Sequence, residues 1–155
     1  MNLRQANSAD IPAIVALINQ AFRVERFLFD GDRIDEPQVR ALFDVGKFLL
    51  VEMEGRLAGV VYVELRGKGG YLGLLSVDPS HQRGGIGGEL MNAAEEFFRA
   101  NGCSRVDLQL VSLRTELPPY YRKFGFVECG IAPFPSEVKA KQPCHFILMS
   151  KSLEQ

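Results

Sequence analysis

Apolar residues Ile11, Ile14, Val15, Ile18 and Phe22 recur at three- and four-residue spacing, which predicts a helix with one apolar face. Ser8 and Asp10 are each able to cap it, and Pro12 suits its first turn. Leu3 to Ala6, ahead of it, reads as a short strand, and Pro37 to Phe43 as a second, short helix. Phe48 to Met53 and Leu57 to Leu65 are strand-like, with Glu54-Gly55 as a tight hairpin turn between them. Gly67-Lys68-Gly69-Gly70 marks another turn, after which Tyr71 to Val77 is an apolar run expected to be a buried central strand, stopped by Asp78-Pro79. A long helix is predicted from near Gly85 to about Ala100, with Leu90, Ala94, Phe97 and Phe98 facing the core and Asn101-Gly102 as its C-cap signal. Val106 to Leu110 alternates like a half-exposed strand, Leu117 to Phe124 reads as a short helix opened by Pro118-Pro119, and Phe126 to Ile131 and Phe146 to Ser150 are the last strands.

The predicted order is β-α-α-β-β-β-α-β-α-β-β. Three consecutive strands joined by short turns imply antiparallel pairing, and the later strand-helix-strand step implies one parallel crossover. The expected fold class is therefore α/β (α+β): a mixed, mostly antiparallel sheet of about seven strands with helices on both faces. Its 155 residues suit a single domain over 1–155. With 18 basic and 19 acidic residues the net charge is -1, which argues against a general nucleic-acid binder. No apolar stretch approaches the roughly 20 residues of a membrane span, and no apolar signal core follows the N-terminus, so a cytoplasmic protein without membrane partners is expected. Cys103, Cys129 and Cys144 are odd in number and unpaired in spacing, which predicts buried free thiols rather than a disulfide framework or a zinc site. Adjacent Cys144-His145 lacks metal spacing and reads as strand packing, and His81 as a solvated loop residue.

The chemistry is concentrated in Leu74-Leu75-Ser76-Val77-Asp78-Pro79-Ser80-His81-Gln82-Arg83-Gly84-Gly85-Ile86-Gly87-Gly88-Glu89-Leu90, a strand, a stop, a glycine-rich loop and a helix start. Glycines let backbone N–H groups approach an anion without a Cβ in the way. The helix start adds orphan donors and about half a positive charge. Together they form a phosphate cradle, beside which Arg83 can place a fixed charge. A P-loop would need Lys-Ser/Thr after its last glycine, and here Gly88 is followed by Glu89-Leu90. A dinucleotide fingerprint would need a third glycine where Leu90 stands; Asp107 lies about twenty residues on, but too early in its strand to hold a ribose.

Gln82-Arg83-Gly84-Gly85-Ile86-Gly87 resembles the Gln/Arg-x-x-Gly-x-Gly/Ala pattern of the GNAT superfamily of acyl-CoA-dependent N-acyltransferases. Leu75-Ser76-Val77-Asp78-Pro79 is similar to that family's central strand and its exit, and Tyr121-Arg122-Lys123-Phe124-Gly125-Phe126 to its Tyr-x-x-x-Gly-Phe. With the Asp10-Ile11-Pro12 helix opening, the resemblance spans nearly the whole chain. It implies an N-acetyltransferase using acetyl-CoA, with coenzyme A leaving and a primary amine, small-molecule or peptide, as acceptor. The N–H groups of Gln82, Arg83, Gly84, Gly85, Ile86, Gly87 and Gly88 would bind the CoA pyrophosphate. The backbone of Leu75, Ser76 and Val77 would pair with the pantetheine arm like an extra strand, one N–H polarising the thioester carbonyl. Tyr121 would protonate the departing thiolate. A phenol of pKa about 10 facing a thiol of about 8.5 makes that step uphill by ~2 kcal/mol. No cysteine falls at the central strand's end or within the last helix, so direct attack in a ternary complex is expected.

Several readings stay open. The glycine loop could be a helix start only, Tyr121 could be a core residue with its hydroxyl satisfied, and the protein could be a non-catalytic acyl-CoA-binding module. Where many GNAT members place an Asn before the last helix, this chain has Arg114-Thr115-Glu116; Arg114 or Thr115 either holds the cofactor or is surface. Tyr71 to Val77 contains no acid to serve as general base. Deprotonating a lysine-like amine at neutral pH costs about 4.6 kcal/mol. Help would come from a water chain, Glu64, or an acid of the Asp30 to Glu36 loop. That loop, with Asp30, Asp32, Asp35 and Glu36 joined by Glu25, Phe27 and Phe29, is either solvated or attracts a cationic acceptor. Exposed strand edges in such architectures often pair between chains, so a homodimer is an open alternative to a monomer.

Overall fold

Turn chemistry sets the first half of the sheet. Glu54 and Gly55 both take positive φ, 54° and 76°, the backbone that a two-residue hairpin requires. They join β2 (Lys47–Met53) to β3 (Arg56–Arg66). A turn through Gly67, at φ 61°, returns the chain as β4 (Gly69–Val77), antiparallel to β3. β1 (Asn2–Gln5) pairs antiparallel with β2. The computed structural model describes residues 1–82 and 84–154. β5 (Arg105–Val111), β6 (Val127–Ala132) and β7 (Phe146–Ser152) complete a seven-stranded sheet in the order β1-β2-β3-β4-β5-β7-β6. The β4–β5 pair is parallel, as the predicted crossover requires, and the other neighbouring pairs are antiparallel. The two edges are β1 and β6; β6 is exposed along most of its length, including Val127 and Ile131.

The helices cover both faces. α1 (Ile11–Ala21) buries Ile11, Ile14, Leu17 and Ile18 and, with α2 (Glu36–Val45), packs on Phe48, Leu50, Val60 and Tyr62. Capping differs from expectation at the start of α1. A short 3-10 turn over Ser8–Asp10 precedes it, and Asn7 does the capping: its Oδ1 accepts from Ala9 N–H at 2.9 Å, while the Asp10 carboxylate accepts from Asn7 N–H at 2.8 Å. Arg4 also binds Asp10 in a fork, at 2.8 and 2.7 Å. The second helix begins at Glu36 because Asp35 caps it, accepting from Gln38 N–H at 2.9 Å.

α3 (Ile86–Ala100) covers the other face, burying Ile86, Leu90, Met91, Ala94 and Phe98, and ends at Gly102, φ 75°. α4 (Leu117–Arg122) packs on the same side. It stops short of Phe124 because the chain turns at Gly125, φ 94°. Two strand glycines bring α3 close. A Cβ on Gly59 would lie 2.6 Å from Ile86, and one on Gly70 would lie 2.3 Å from the fully buried Phe98 ring. Gly70→Val, although a good strand former, is expected to overpack by about 1–3 kcal/mol and lower Tm by roughly 3–10 °C. A thermal melt with Tm unchanged or raised would show that the ring yields freely.

Among the described residues no helix is long and apolar enough to cross a membrane. The three cysteines are free, but only Cys103 is buried as expected; Cys129 is exposed on the edge strand β6 and Cys144 is half-buried. Cys144-His145 is not in a strand. It lies just ahead of β7, where His145 N–H donates to Ser112 Oγ at 3.0 Å and its carbonyl accepts from Ser112 N–H at 2.8 Å. His81 is half-buried in a 3-10 turn over Pro79–His81, its Nδ1 3.1 Å from Ser80 Oγ.

Candidate active site

The central strand is interrupted where its sequence looks uniformly apolar. Two residue steps on β3, from Val60 to Tyr62, face three on β4, from Ser76 to Gly73. The extra residue makes a β-bulge, and Leu74 within it adopts φ 56°, left-handed backbone that a branched side chain rarely takes. Such a conformation costs on the order of 1–3 kcal/mol and persists only where its surroundings over-determine it. Ser76, 2% exposed, helps to do so, its Oγ donating to the Leu74 carbonyl at 3.0 Å. β4 pairs with β5 only through Gly69, Gly70 and Tyr71. Past Tyr71 the two strands part, and the edge of β4 that would face β5 has no strand partner. β5 stays straight because β7 holds it along its whole length, from Arg105 to Val111.

A cavity of about 510 Å³ fills this gap, lined by Tyr71 to Leu75 from β4, Leu108 to Val111 from β5, and Tyr121 from α4. Tyr121 is 7% exposed, edge-on to Tyr120 and Phe126 at 5.2 and 6.1 Å between ring centres. Among the described residues nothing hydrogen-bonds its hydroxyl, while every fully sealed side-chain polar atom has a partner. The hydroxyl therefore opens onto the cavity and is not a satisfied core group. Tyr120 points the other way. Its Oη sits 2.5 Å from where a Cβ on Gly87 would be, so Gly87 lets α4 pack against the first turn of α3.

That first turn follows β4 directly. Gly85, at φ 78°, is the N-cap of α3, and among the described residues no side chain caps the helix. The N–H groups of Ile86, Gly87 and Gly88 are consequently without helical partners. Gly88 faces open space. Gly84 is different from expectation: its N–H already donates to the His81 carbonyl at 3.0 Å, so it holds the turn rather than a ligand. Gln82 is exposed, and the expected contribution of Arg83 lies outside the described residues. Leu75 and Val77 pack their side chains toward α3, leaving backbone as what they offer the gap.

Residues 12–126 match the acetyltransferase (GNAT) family. The chain belongs to that family. It is 29% identical over 102 residues to the mycothiol acetyltransferase of Clavibacter sepedonicus, covering 65% of this chain and 33% of that protein. It is 29% identical over 109 residues to the streptothricin acetyltransferase of Streptomyces lavendulae, covering 69% and 58%. The chain thus spans well under two thirds of the length of both relatives. The GNAT fold itself is shared end to end with the ribosomal-protein-alanine N-acetyltransferase of Brucella melitensis, with a TM-score of 0.80 at 21% identity over 99% of this chain and 100% of that one.

Electrostatics separates this GNAT site from several expectations. Glu64 lines no part of the cavity. It accepts from Tyr62 Oη at 2.5 Å and pairs with Arg66. Burial alone would raise its carboxyl, but those two donors hold it below the usual range, which makes it a poor base. Among the described residues the cavity lining holds two carboxylates, Glu25 and Asp32. Glu25 is 6% exposed and bound by Arg114 Nη1 at 2.8 Å, with Arg114 Nε also 3.0 Å from Glu116. Arg114 is therefore not a surface residue: it lines the cavity with its Nη1 and Nε engaged, while Thr115 is exposed. Asp30 pairs with Lys141 at 2.9 Å, and Asp35 is a cap. Phe29 lines the cavity, whereas Phe27 is 45% exposed. Burial pushes the Tyr121 phenol well above its ordinary pKa, with the Arg114 charge opposing. The proton is held securely at neutral pH, and donating it is harder than for a free phenol.

Proposed function

We propose that the protein transfers an acetyl group from acetyl-CoA to a primary amine by direct attack in a ternary complex, with residues 1–155 acting as one domain. One coincidence carries this reading: an unpaired β4 edge and Tyr121 line one gap in the sheet, and the chain runs from that same strand through a short turn into the uncapped start of α3. The donor set fits the cofactor. An anion at Ile86, Gly87 and Gly88 meets orphan N–H groups and the positive end of a 15-residue helix. The backbone of Leu75, Ser76 and Val77 supplies a strand edge for an extended, amide-containing arm. The relatives' names share acetyl transfer and differ in acceptor, so the first is carried over and the second is not.

Acetyl-CoA supplies the acetyl group as a thioester. The amine nitrogen forms the new N–C bond as the C–S bond breaks. The proton lost by the amine passes to solvent, the departing thiolate takes one from Tyr121, and solvent returns a proton to the Tyr121 phenolate. A backbone N–H at the bulge stabilises charge developing on the carbonyl oxygen, and the strained Leu74 backbone is what turns that donor out of the ladder.

A non-catalytic acyl-CoA-binding module draws on one observation: Glu64, expected as a possible base, and Glu25 on the cavity lining are both already engaged, which leaves Asp32 as the lining carboxylate without an ion pair among the described residues. Calorimetric titration with acetyl-CoA, CoA, ATP and NAD, followed by thiol release on adding an amine library, separates the readings. Micromolar binding of the CoA species alone with amine-dependent thiol release is expected. Binding without release for any amine would favour the module, and preference for ATP or NAD would overturn both.

A further inference from the structure

The acceptor side of the cavity lies away from α3, and its charges are partly cancelled internally. Of the acids that the sequence offers there, Glu25 is neutralised by Arg114 and Asp30 by Lys141. Arg26, Arg33 and Asp32 remain on the lining, two cations against one anion. Among the described residues no carboxylate lies within 4.0 Å of Arg33. Arg33 lies over the Phe22 ring, 5.4 Å from its centre, and its charge is felt at Tyr71, the last β4 residue paired to β5 before the gap. The same lining carries a continuous aromatic chain. Phe29 meets Phe134 at 5.7 Å, and Phe134 meets Phe146 at 4.4 Å, edge to face. It joins the segment after α1 to the β6–β7 connection, and Lys141 fastens the same two segments, its N–H donating to the Leu28 carbonyl at 2.7 Å.

An apolar aromatic chain sharing one cavity with a guanidinium that no carboxylate pairs among the described residues does not suit a polycation. It suits a molecule with an apolar ring and an anionic group. Resting on the acetyl-transfer reading above, we infer that the acceptor is a small amine with an aromatic or bulky apolar body and a carboxylate, and that Arg33 selects it by binding that carboxylate. Arg33 is thus a specificity residue and takes no part in the bond-making step. In the Asp30 to Glu36 loop Asp30 pairs with Lys141 and Asp35 caps α2, while Asp32 and Arg33 both stay on the lining, so the loop brings a cation to the cavity as well as an anion.

Two matched pairs test this: L-phenylalanine against 2-phenylethylamine, and 4-(aminomethyl)benzoate against benzylamine, with spermine as the cationic probe. Thiol release from acetyl-CoA gives kcat/KM for each. In at least one pair the carboxylated amine is expected to be favoured by about tenfold or more, the factor of one charge-assisted hydrogen bond. Arg33→Gln should erase that ratio through KM, Arg33→Lys should restore part of it, and acetyl-CoA affinity by calorimetry should stay unchanged in both. The inference is overturned if no carboxylated amine is turned over although acetyl-CoA binds, if spermine is the better acceptor, or if the ratio survives Arg33→Gln. In those cases the acetyl-transfer reading is decided separately, by thiol release with the wider amine library. Absence of acetyl-CoA binding to the wild type overturns both.

Discussion

Tyr121→Phe should lower kcat by about 10²–10⁴-fold, the range for losing a positioned acid, while leaving acetyl-CoA affinity essentially unchanged. The ring's packing against Tyr120 and Phe126 is retained. The lost hydroxyl has no protein partner among the described residues, so no buried group is orphaned and folding should be preserved. A pH profile sharpens the test. An acid must be protonated to act, so activity falls as pH rises through its pKa, and burial moves that pKa upward from the ordinary value. The wild type should therefore rise with pH as the amine loses its proton and show no descending limb below about pH 10, the ordinary phenol pKa. Unchanged kcat in Tyr121→Phe would make Tyr121 a packing residue, and a descending limb near neutrality would assign the acid to another group.

Gly87→Glu should weaken acetyl-CoA binding by about 100-fold or more, because a carboxylate would compete with phosphate for the orphan N–H groups and repel it. The same charge favours the start of a helix, so the variant should not be destabilised on that account. The contact with Tyr120 adds a second effect, since a Cβ at residue 87 would sit 2.5 Å from its hydroxyl. Gly88→Glu separates the two: it adds the charge where there is open space. Calorimetry should find binding weakened in both Glu variants and less so in Gly87→Ala, which carries the steric effect alone. Wild-type affinity in Gly87→Glu would mean that the glycine loop is only a helix start.

Element order, the Glu54-Gly55 hairpin, the span of α3 with its Gly102 stop, and the glycine loop were all legible in the sequence, because each depends on local chemistry. Helical spacing, positive-φ turns and helix ends involve residues a few positions apart. Tyr121 was legible through Gly125 and Phe126, which close the turn behind it: Phe126 N–H donates to the Tyr121 carbonyl. The bulge was not. Leu74 looks like any other apolar strand residue, and its left-handed backbone is imposed by the β3 register and Ser76. Nor were the charges legible. Glu25 meets Arg114 across 89 residues and Lys141 meets Asp30, so two of the acids that read as a cation trap are spent on holding the structure. Phe134 lay unremarked in a proline-rich loop until Phe29 and Phe146 came to either side of it. The sequence by itself determined the architecture and the uncapped, glycine-rich helix start to which the proposed function assigns an anion, since those follow from short-range backbone donors and patterning. The tertiary structure alone decided which charges stay free in the acceptor cavity, because pairing between distant side chains is settled only when the segments around the gap close on one another.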